Sequence, residues 1–159
     1  MSDLSSIDSL LDKVKQDIRQ LRRGKQAGHY RPHKLVMLLA VIELAERGLL
    51  PSNRINLTPT LLGIFEGIFL LVGKSDDLCQ PGPPFFHLRT SGFWFHKVRP
   101  GREKAYSELT TTGGGLQTIE DLIEYAYLRD DVYRLVIDPT SRRELRLLIS
   151  GMLNAPEGE

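Results

Sequence analysis

A leucine-rich segment in the first third of the chain carries apolar residues on nearly every side of the helix it would form. Pro32 suits the first turn of that helix, where its missing N–H has no partner to lose, and Gly48 and Pro51 mark its end. The apolar positions between them are Leu35, Val36, Leu38, Leu39, Val41, Ile42 and Leu44. A helix with this pattern has to be covered on most sides. We therefore predict a central buried helix over about 32–47.

Other segments with clear periodicity provide the cover for this helix. The predicted elements are helices over 5–23, 60–72, 118–128, 130–137 and 140–153, a short strand over 54–57, and a hairpin of 85–89 with 93–98. The fold class is therefore mostly α (α+β), a helical domain with a small antiparallel β-hairpin. The order of elements is winged-helix-like, which is an analogy at the level of fold only.

The 159 residues suffice for one domain, which we place over 1–154, with 155–159 as a tail or the start of a linker. The only cysteine, Cys79, cannot form an internal disulfide, which favours a reducing, cytoplasmic setting. The longest apolar stretch, 61–72, is interrupted by Glu66 and is too short to span a bilayer. The N-terminus lacks the pattern of a signal peptide.

The net charge of +1 conceals a strong separation of charge along the chain. Segments 19–34 and 87–104 together hold eleven of the 21 Lys and Arg residues and one acidic residue, Glu103. The remaining residues are correspondingly acidic. If the two basic segments share a face, that face suits a polyanion such as nucleic acid.

Motifs for catalysis and for metal binding are missing from the sequence. Gly73-Lys74-Ser75 lacks the earlier glycine of a phosphate-binding loop, because position 68 is Ile. The histidines have no Cys or carboxylate neighbours at metal-ligand spacing. We find no nuclease motif and no nucleophile elbow. We therefore predict a recognition module without catalytic residues, metal or cofactor.

The first candidate binding constellation is the basic sequence HYRPHK, residues 29–34. It lies where the chain enters the central helix, and the free N–H groups and dipole at a helix start favour an anion. Arg31, His33 and Lys34 would add charge and donors around it, with Tyr30 beside them. The alternative is a helix start that happens to be basic.

The second constellation is the proline- and aromatic-rich stretch 81–103. Pro83 and Pro84 would form a stiff apolar rim, with His87 close by and Arg89 at its flank, whereas the aromatic residues are expected to fill the core. An apolar depression beside a cationic helix start suits an anion that has one soft, weakly hydrated atom. The alternative is a hairpin that packs its aromatic residues inward.

Three sequence stretches, in this order, resemble the DNA sulfur-binding domains. They are RPHKLVMLLAVIELAERG, PPFFHLRTSGFW, and GGL followed by two helices, and the resemblance runs from about residue 20 to 153. These domains are the recognition modules of type IV, modification-dependent restriction endonucleases of bacterial defence. They bind phosphorothioated DNA, in which sulfur replaces one non-bridging phosphate oxygen.

The resemblance implies a set of site residues. The sulfur pocket would comprise His33, Lys34, Pro83, Pro84 and His87. Further DNA contacts would come from Tyr30, Arg31, Pro32, Arg89, Lys97, Arg99, Arg102 and Lys104, among which the basic loop 99–104 contacts neighbouring phosphates.

The chain departs from the family pattern at three places. Pro83 stands where the family usually has Tyr, His87 where a small residue can occur, and Leu35 where Pro is frequent. These changes affect the shape of the cavity and hence the sequence preference. The family's His-Asn-His nuclease domain lies C-terminal to this module, so we expect the chain to be either a module cut from a longer protein that carries a tethered nuclease domain or a stand-alone binder.

The predicted function is sequence-context-dependent binding of phosphorothioate-modified double-stranded DNA, as the targeting module of a restriction endonuclease. The nearest alternative is a winged-helix transcriptional regulator that binds unmodified DNA. Two others are a nuclease with an unrecognised metal site and a protein-interaction module whose aromatic hairpin contacts a partner.

Overall fold

The computed structural model describes residues 2–26, 28–74, 77–110 and 115–155. The elements in chain order are α1 (Ser2–Arg19), β1 (Lys25–Gln26), β2 (His29–Tyr30), α2 (His33–Glu46), α3 (Pro59–Val72), α4 (Gly82–His87), a 3-10 turn (Leu88–Ser91), β3 (Trp94–Val98), α5 (Glu103–Glu108), α6 (Gly115–Leu122), β4 (Ile123–Leu128), α7 (Asp130–Ile137) and α8 (Pro139–Asn154). The described part is mostly helical with two small antiparallel sheets, which confirms the predicted mostly α class. Within these residues no helix is long and apolar enough to cross a bilayer.

The leucine-rich helix α2 is the centre of the core, as its sequence predicts. Nine of its residues are buried, and Leu35, Val36 and Met37 have no exposed surface at all. Helices α3, α4, α7 and α8 all pack against it. The helix ends at Glu46, and Gly48, two residues further on, has a φ of +71°, a left-handed conformation that glycine adopts at little cost. Because the core surrounds α2, its first turn is held rigidly at the molecular surface.

The other long helices agree with their predicted bounds within one to four residues. Helix α3 begins where the Thr58 hydroxyl accepts a hydrogen bond from the Leu61 N–H at 3.1 Å. Helix α8 begins in the same way, where the Asp138 carboxylate accepts one from the Ser141 N–H at 2.9 Å. In both helices a proline occupies the first turn. The cap-plus-proline pair Thr58 and Pro59 predicts the start of α3 from sequence, whereas the start of α8 was predicted from Pro139 alone.

The hairpin predicted between residues 85 and 98 was wrong. Pro83 and Pro84 preset the φ angle of a helical first turn, and the stretch 82–87 is the helix α4, continued by a 3-10 turn. Gly92, with φ of +88°, then reverses the chain. The strand β3 that follows pairs with the distant β4 and not with 85–89. The winged-helix-like order, which depended on this hairpin, is therefore not found.

The predicted helix over 118–128 was also wrong in its second half. Helix α6 ends at Leu122, and the following IEYAYL sequence, rich in aromatic and β-branched residues, forms β4. Exposed Phe95 of β3 stacks on Tyr127 of β4, with 5.5 Å between ring centroids. Of the strand predicted over 54–57, only Ile55 pairs, with Ala126. Long-range pairing outweighed the local pattern here.

Short elements occupy two segments to which the sequence assigns no helix or strand. Residues 25–31 include the two-residue strands β1 and β2. The basic loop 99–104 ends in the first turn of α5. The sequence also predicts a flexible turn over 110–115, and its residues 111–114, which include Gly114 of the GGL motif, lie outside the described residues.

Candidate functional site

A cavity of about 590 Å³ opens where the first turn of α2 meets α4. The chain between α1 and β1 forms one wall, α4 forms another, and the loop before α4 lies between them. The lining residues are Arg22, Arg23, Gly24, Lys25, Arg31, His33, Lys34, Leu78, Gln80, Pro83, Pro84, His87 and Thr90. We call this space the basic cavity.

The basic cavity brings together all five residues that the sequence assigns to the sulfur pocket. His33 and Lys34 lie in the first turn of α2, whereas Pro83, Pro84 and His87 belong to α4. Pro84 is buried and Pro83 half-buried, so they line the cavity with little of their surface. About 50 residues separate the two segments along the chain, and the packing of α4 on α2 joins them.

Positive charge dominates this cavity. Five of its lining residues are Lys or Arg, and among the described lining residues none is acidic. Burial, together with the nearby Arg22 guanidinium, lowers the pKa of Lys34. The Lys34 ammonium donates a hydrogen bond to the Arg22 carbonyl oxygen at 2.7 Å. This concentration of cations favours an anionic ligand.

The backbone at the start of α2 strengthens this preference for an anion. No side chain caps the helix at Pro32, and its first turn contains no acidic residue. The first N–H groups of a helix have no partner within the helix, and its dipole places partial positive charge there. The uncapped start of α2 therefore suits an anionic oxygen.

His33 is held in place from two sides and keeps one ring nitrogen without a partner. Its Nε2 lies 2.6 Å from the Leu78 carbonyl oxygen, to which only a protonated nitrogen can donate. Its ring packs against Phe69, with 5.0 Å between centroids. The Nδ1 atom is buried and has no hydrogen-bond partner among the described residues. A buried polar atom without a partner is uncommon in proteins and marks a position where a ligand would add one.

His87 presents a largely neutral ring to the same cavity. Burial, then the charges of Lys34 and Arg89, lower the pKa of His87. Its ring also packs edge-on against Phe86, at 5.0 Å between centroids. Near neutral pH this residue therefore adds apolar ring surface next to the two prolines.

One backbone oxygen of α4 is held by two side chains of β3. The Phe85 carbonyl lies 2.9 Å from both Trp94 Nε1 and His96 Nε2, which are on β3. The Tyr106 hydroxyl lies 2.8 Å from the other His96 nitrogen, Nδ1. Burial is the main cause that lowers the pKa of His96 to about 4. A neutral His96 therefore donates from Nε2 to Phe85 and accepts from Tyr106 at Nδ1.

Sequence reasoning missed the wall formed by residues 22–25. The prediction extended α1 to residue 23, which placed Arg22 and Arg23 on the outside of a helix, but α1 ends at Arg19. The Tyr30 ring orders this wall: the Arg23 guanidinium lies 4.2 Å and the Lys25 ammonium 4.9 Å from its centroid. The basic count over 19–34 was the signal that could have identified these residues. Leu78, Gln80 and Thr90 gave no such signal.

Several predicted DNA-contacting residues lie outside the basic cavity. Tyr30 and Pro32 line a smaller neighbouring cavity of about 110 Å³, which shares Arg23 and Arg31 with it. The Arg89 guanidinium lies 4.0 Å from the Phe86 ring centroid and donates to the Leu109 carbonyl oxygen at 3.1 Å. It therefore supports the aromatic cluster behind α4.

The basic residues after β3 also lie away from the cavity. The Nε atoms of Arg99 and Arg102 donate to the backbone oxygens of Glu120 and Asp121, at 2.6 Å and 3.4 Å. Lys97 on β3 and Lys104 on α5 are exposed. We call the four predicted residues of this region the second basic set: Lys97, Arg99, Arg102 and Lys104.

Among the described residues, no three His, Cys, Asp or Glu side chains are grouped so that they could hold a metal ion.

The fold was compared with known proteins. No protein-family model matches the chain, and no curated protein matches it. Among solved structures, the sulfur binding domain of SprMcrA, complexed with phosphorothioated DNA, superposes with a TM-score of 0.61. The alignment covers 88% of this chain and 83% of that one, at 18% sequence identity. The chain has the fold of a sulfur-binding domain. Within this sulfur-binding-domain fold, the basic cavity is the candidate site.

Proposed function

We propose that this sulfur-binding-domain fold binds double-stranded DNA through a phosphorothioate group of the backbone, held in the basic cavity. The observation that carries the proposal is the meeting of an uncapped, cationic helix start with a proline wall. The fold shared with the DNA-bound sulfur binding domain of SprMcrA supports it.

The discrimination between sulfur and oxygen requires more than positive charge. Phosphate and phosphorothioate carry the same charge, but sulfur is larger, more polarisable and a poorer hydrogen-bond acceptor. Burying a phosphate oxygen against Pro83, Pro84 and Leu78 without a hydrogen bond would cost about 2–7 kcal/mol. Sulfur loses less hydration and gains dispersion contacts there. The apolar wall therefore selects for sulfur.

The cations of the basic cavity would supply affinity for the remaining charge. Lys34 and the first N–H groups of α2 would bind the non-bridging oxygen of the same group. Arg22, Arg23 and Lys25, on the opposite wall, suit the neighbouring phosphates of the strand. These contacts do not depend on sulfur, so they would strengthen binding to any DNA and make it sensitive to salt.

The second basic set would extend the contact along the duplex. Arg99 and Arg102 are fixed by their Nε atoms to backbone oxygens and remain exposed. Such a residue can reach a phosphate or, through a bidentate contact, a guanine edge worth about 1–3 kcal/mol. We propose that this set, with Lys97 and Lys104, supplies the dependence on sequence context.

The wider role follows from the binding. We propose that residues 1–154 form one recognition module and that 155–159 begin a linker. Tethered to a nuclease in a longer, cytoplasmic protein, the module would direct cleavage to modified DNA. It would itself contribute no catalytic residue.

The test compares two duplexes that differ in one atom. Fluorescence anisotropy should be measured on one duplex sequence with and without a single phosphorothioate, at fixed salt concentration. We expect the modified duplex to bind at least tenfold more tightly, a difference of about 1.4 kcal/mol. Equal affinities would overturn the proposal and favour a reader of unmodified DNA.

A further inference from the structure

The loop that joins α3 to α4 supplies the most exposed apolar side chain of the basic cavity. We call residues 73–81 the α3–α4 loop, of which the structure describes 73–74 and 77–81. Among the apolar side chains that line the cavity, Pro84 is buried and Pro83 half-buried, whereas Leu78 is 66% exposed. Leu78 therefore offers a ligand in this cavity more apolar surface than either proline.

A hydrogen bond from α2 holds the backbone at Leu78. A single exposed leucine is common on protein surfaces and needs no explanation by itself. Here, however, the Leu78 carbonyl oxygen accepts a hydrogen bond from His33 Nε2 at 2.6 Å. His33 belongs to the first turn of α2, where Lys34 is the next residue. The exposed leucine is therefore tied to the helix start that carries the cation.

The residue before Leu78 attaches the α3–α4 loop a second time. The Asp77 side chain has no exposed surface. Its Oδ1 accepts a hydrogen bond from His29 Nε2 at 3.2 Å, and its Oδ2 accepts one from the Lys74 N–H at 2.7 Å. His29 is itself buried in β2, which pairs with β1 at the wall of the cavity. Because a buried carboxylate without partners is costly, this pairing fixes the loop at Asp77.

The two attachments hold Leu78 at the basic cavity before any ligand binds. An apolar surface whose backbone is already in position loses little freedom on binding. A sulfur atom gains dispersion contacts with such a surface, whereas a phosphate oxygen that loses its water there finds no hydrogen-bond donor in the leucine side chain. The side chain of Leu78 should therefore affect the preference for sulfur and not the attraction to negative charge.

We propose that Leu78 is a specificity-determining residue for phosphorothioate DNA, and that Asp77, paired with His29, positions it. The assignment rests on the proposed function, because it gives one side chain a share of the sulfur preference of the basic cavity. Leu78 contacts the sulfur atom together with the prolines of α4. Asp77 does not contact DNA, because its carboxylate is buried and both of its oxygens are already bonded.

The test measures the sulfur preference, which is the affinity for a duplex with one phosphorothioate divided by the affinity for the same duplex without it. Fluorescence anisotropy at fixed salt concentration gives both values. Leu78→Ala should lower the preference at least fivefold and change the affinity for the plain duplex less than twofold. Leu78→Met keeps the apolar volume and should retain the preference. Leu147→Ala, at a residue of α8 that is 60% exposed and does not line the cavity, is the control.

A double variant tests whether Asp77 acts through Leu78. Asp77→Ala removes the acceptor of His29 and should lower the sulfur preference as Leu78→Ala does, whereas Asp77→Asn keeps an acceptor oxygen and should restore most of it. In a chain that already carries Leu78→Ala, Asp77→Ala should lower the preference no further. A further loss larger than twofold would overturn the positioning role. His29→Phe removes the donor instead and replaces Asp77→Ala in this comparison if that variant does not fold.

Failure of this assignment can be told apart from failure of the proposed function. A sulfur preference that Leu78→Ala keeps in full would overturn the assignment and leave the proposed function in place. Equal lowering of the preference by Leu78→Ala and Leu147→Ala would overturn it as well, because Leu147 does not line the cavity. An unaltered chain without any sulfur preference would overturn both.

Discussion

Single residues of the basic cavity combine charge and apolar surface within a short distance. The Arg22 guanidinium lies close enough to Lys34 to lower the pKa of its ammonium, and this ammonium donates a hydrogen bond to the Arg22 carbonyl oxygen. His87 follows Pro83 and Pro84 on the same short helix and turns a mostly neutral ring to the same space. This combination is the physical basis of the proposed preference for sulfur.

The first prediction concerns Lys34. Lys34→Glu replaces a cation that would bind the thiophosphate oxygen with an anion that repels it. We expect binding of the modified duplex to weaken at least a hundredfold, measured by anisotropy, because charged hydrogen bonds contribute about 1.5–3 kcal/mol and the repulsion adds to this loss. Lys34→Met keeps the aliphatic part of the side chain and should lose less affinity than Lys34→Glu. Unchanged affinity of a folded Lys34→Glu variant would remove Lys34 from the site.

The second prediction concerns the pH dependence of binding. Lys34 and Arg89 help to lower the pKa of His87, and the other charges facing this space are Arg22, Arg23, Lys25, Arg31 and titratable His33. A bound anion offsets these cations and raises the pKa, so binding takes up protons. Affinity should therefore rise as pH falls from 8 to 6, and His87→Gln should reduce this rise. An identical pH profile for both proteins would contradict the assignment.

The third prediction concerns stability. The pKa of His96 is about 4 in the folded protein, below the ordinary value of about 6.5, so the unfolded chain binds more protons between these values. The free energy of unfolding should fall by about 3 kcal/mol as pH drops from 6.5 to 4. Urea unfolding between pH 5 and 7 checks this, because carboxylates also titrate lower down. His96→Gln should show a clearly flatter profile.

At the scale of elements, the end of α1 determines the charge of the basic cavity. Since α1 stops at Arg19, the next residues leave the helix, and the small β1–β2 hairpin returns the chain to α2. Tyr30 then holds Arg23 and Lys25 at one wall. The sequence showed that this segment is basic, but the helix end, and with it the direction of the side chains, was not evident from periodicity.

The fourth prediction tests this wall. Replacing Arg22, Arg23 and Lys25 by Ala should reduce the slope of log K against log salt by about 2–3, since each phosphate contact contributes about 0.9. The loss should be similar for modified and plain duplexes, so discrimination is kept. Arg134→Ala, an exposed residue of α7, should leave the slope unchanged. A slope that the triple variant does not alter would show that this wall does not meet DNA.

The fifth prediction tests the second basic set with the same titration. Replacing Arg99, Arg102 and Lys104 by Ala should also flatten the salt dependence. In contrast to the cavity wall, it should reduce the difference in affinity between modified duplexes of different sequence. A variant that keeps both the slope and the sequence preference would place this set away from DNA.

The error at α4 shows why some elements could not be predicted. Residues 86–89 alternate apolar and polar side chains as strands do, and residues 93–95 are aromatic, which also favours a strand. Pro83 and Pro84 nevertheless begin a helix, and β3 pairs with β4, which begins 25 residues after β3 ends. Pairing over such a distance leaves no local pattern. By contrast, the caps of α3 and α8 are local, and their starts were predicted correctly.

At the scale of the whole molecule, the central position of α2 connects fold and site. The apolar residues on nearly every side of α2 predicted a buried helix. Because α2 is buried in the core, the position of its charged first turn is fixed. The family resemblance selected residues on α2 and α4 that line one cavity, although the second segment was assigned to the wrong type of structure. The cavity itself could not be predicted from sequence. It is enclosed by α2, by α4, which is distant along the chain, and by residues 22–25, whose role was not predicted.

The most direct measurement would locate the modified atom itself. A duplex with one phosphoroselenoate, in which selenium takes the position of sulfur, should be crystallised with the protein and its anomalous scattering recorded. We expect the selenium peak in the basic cavity, against Pro83 and Pro84 and within reach of Lys34. A selenium peak outside this cavity, in a crystal of the specific complex, would contradict the account.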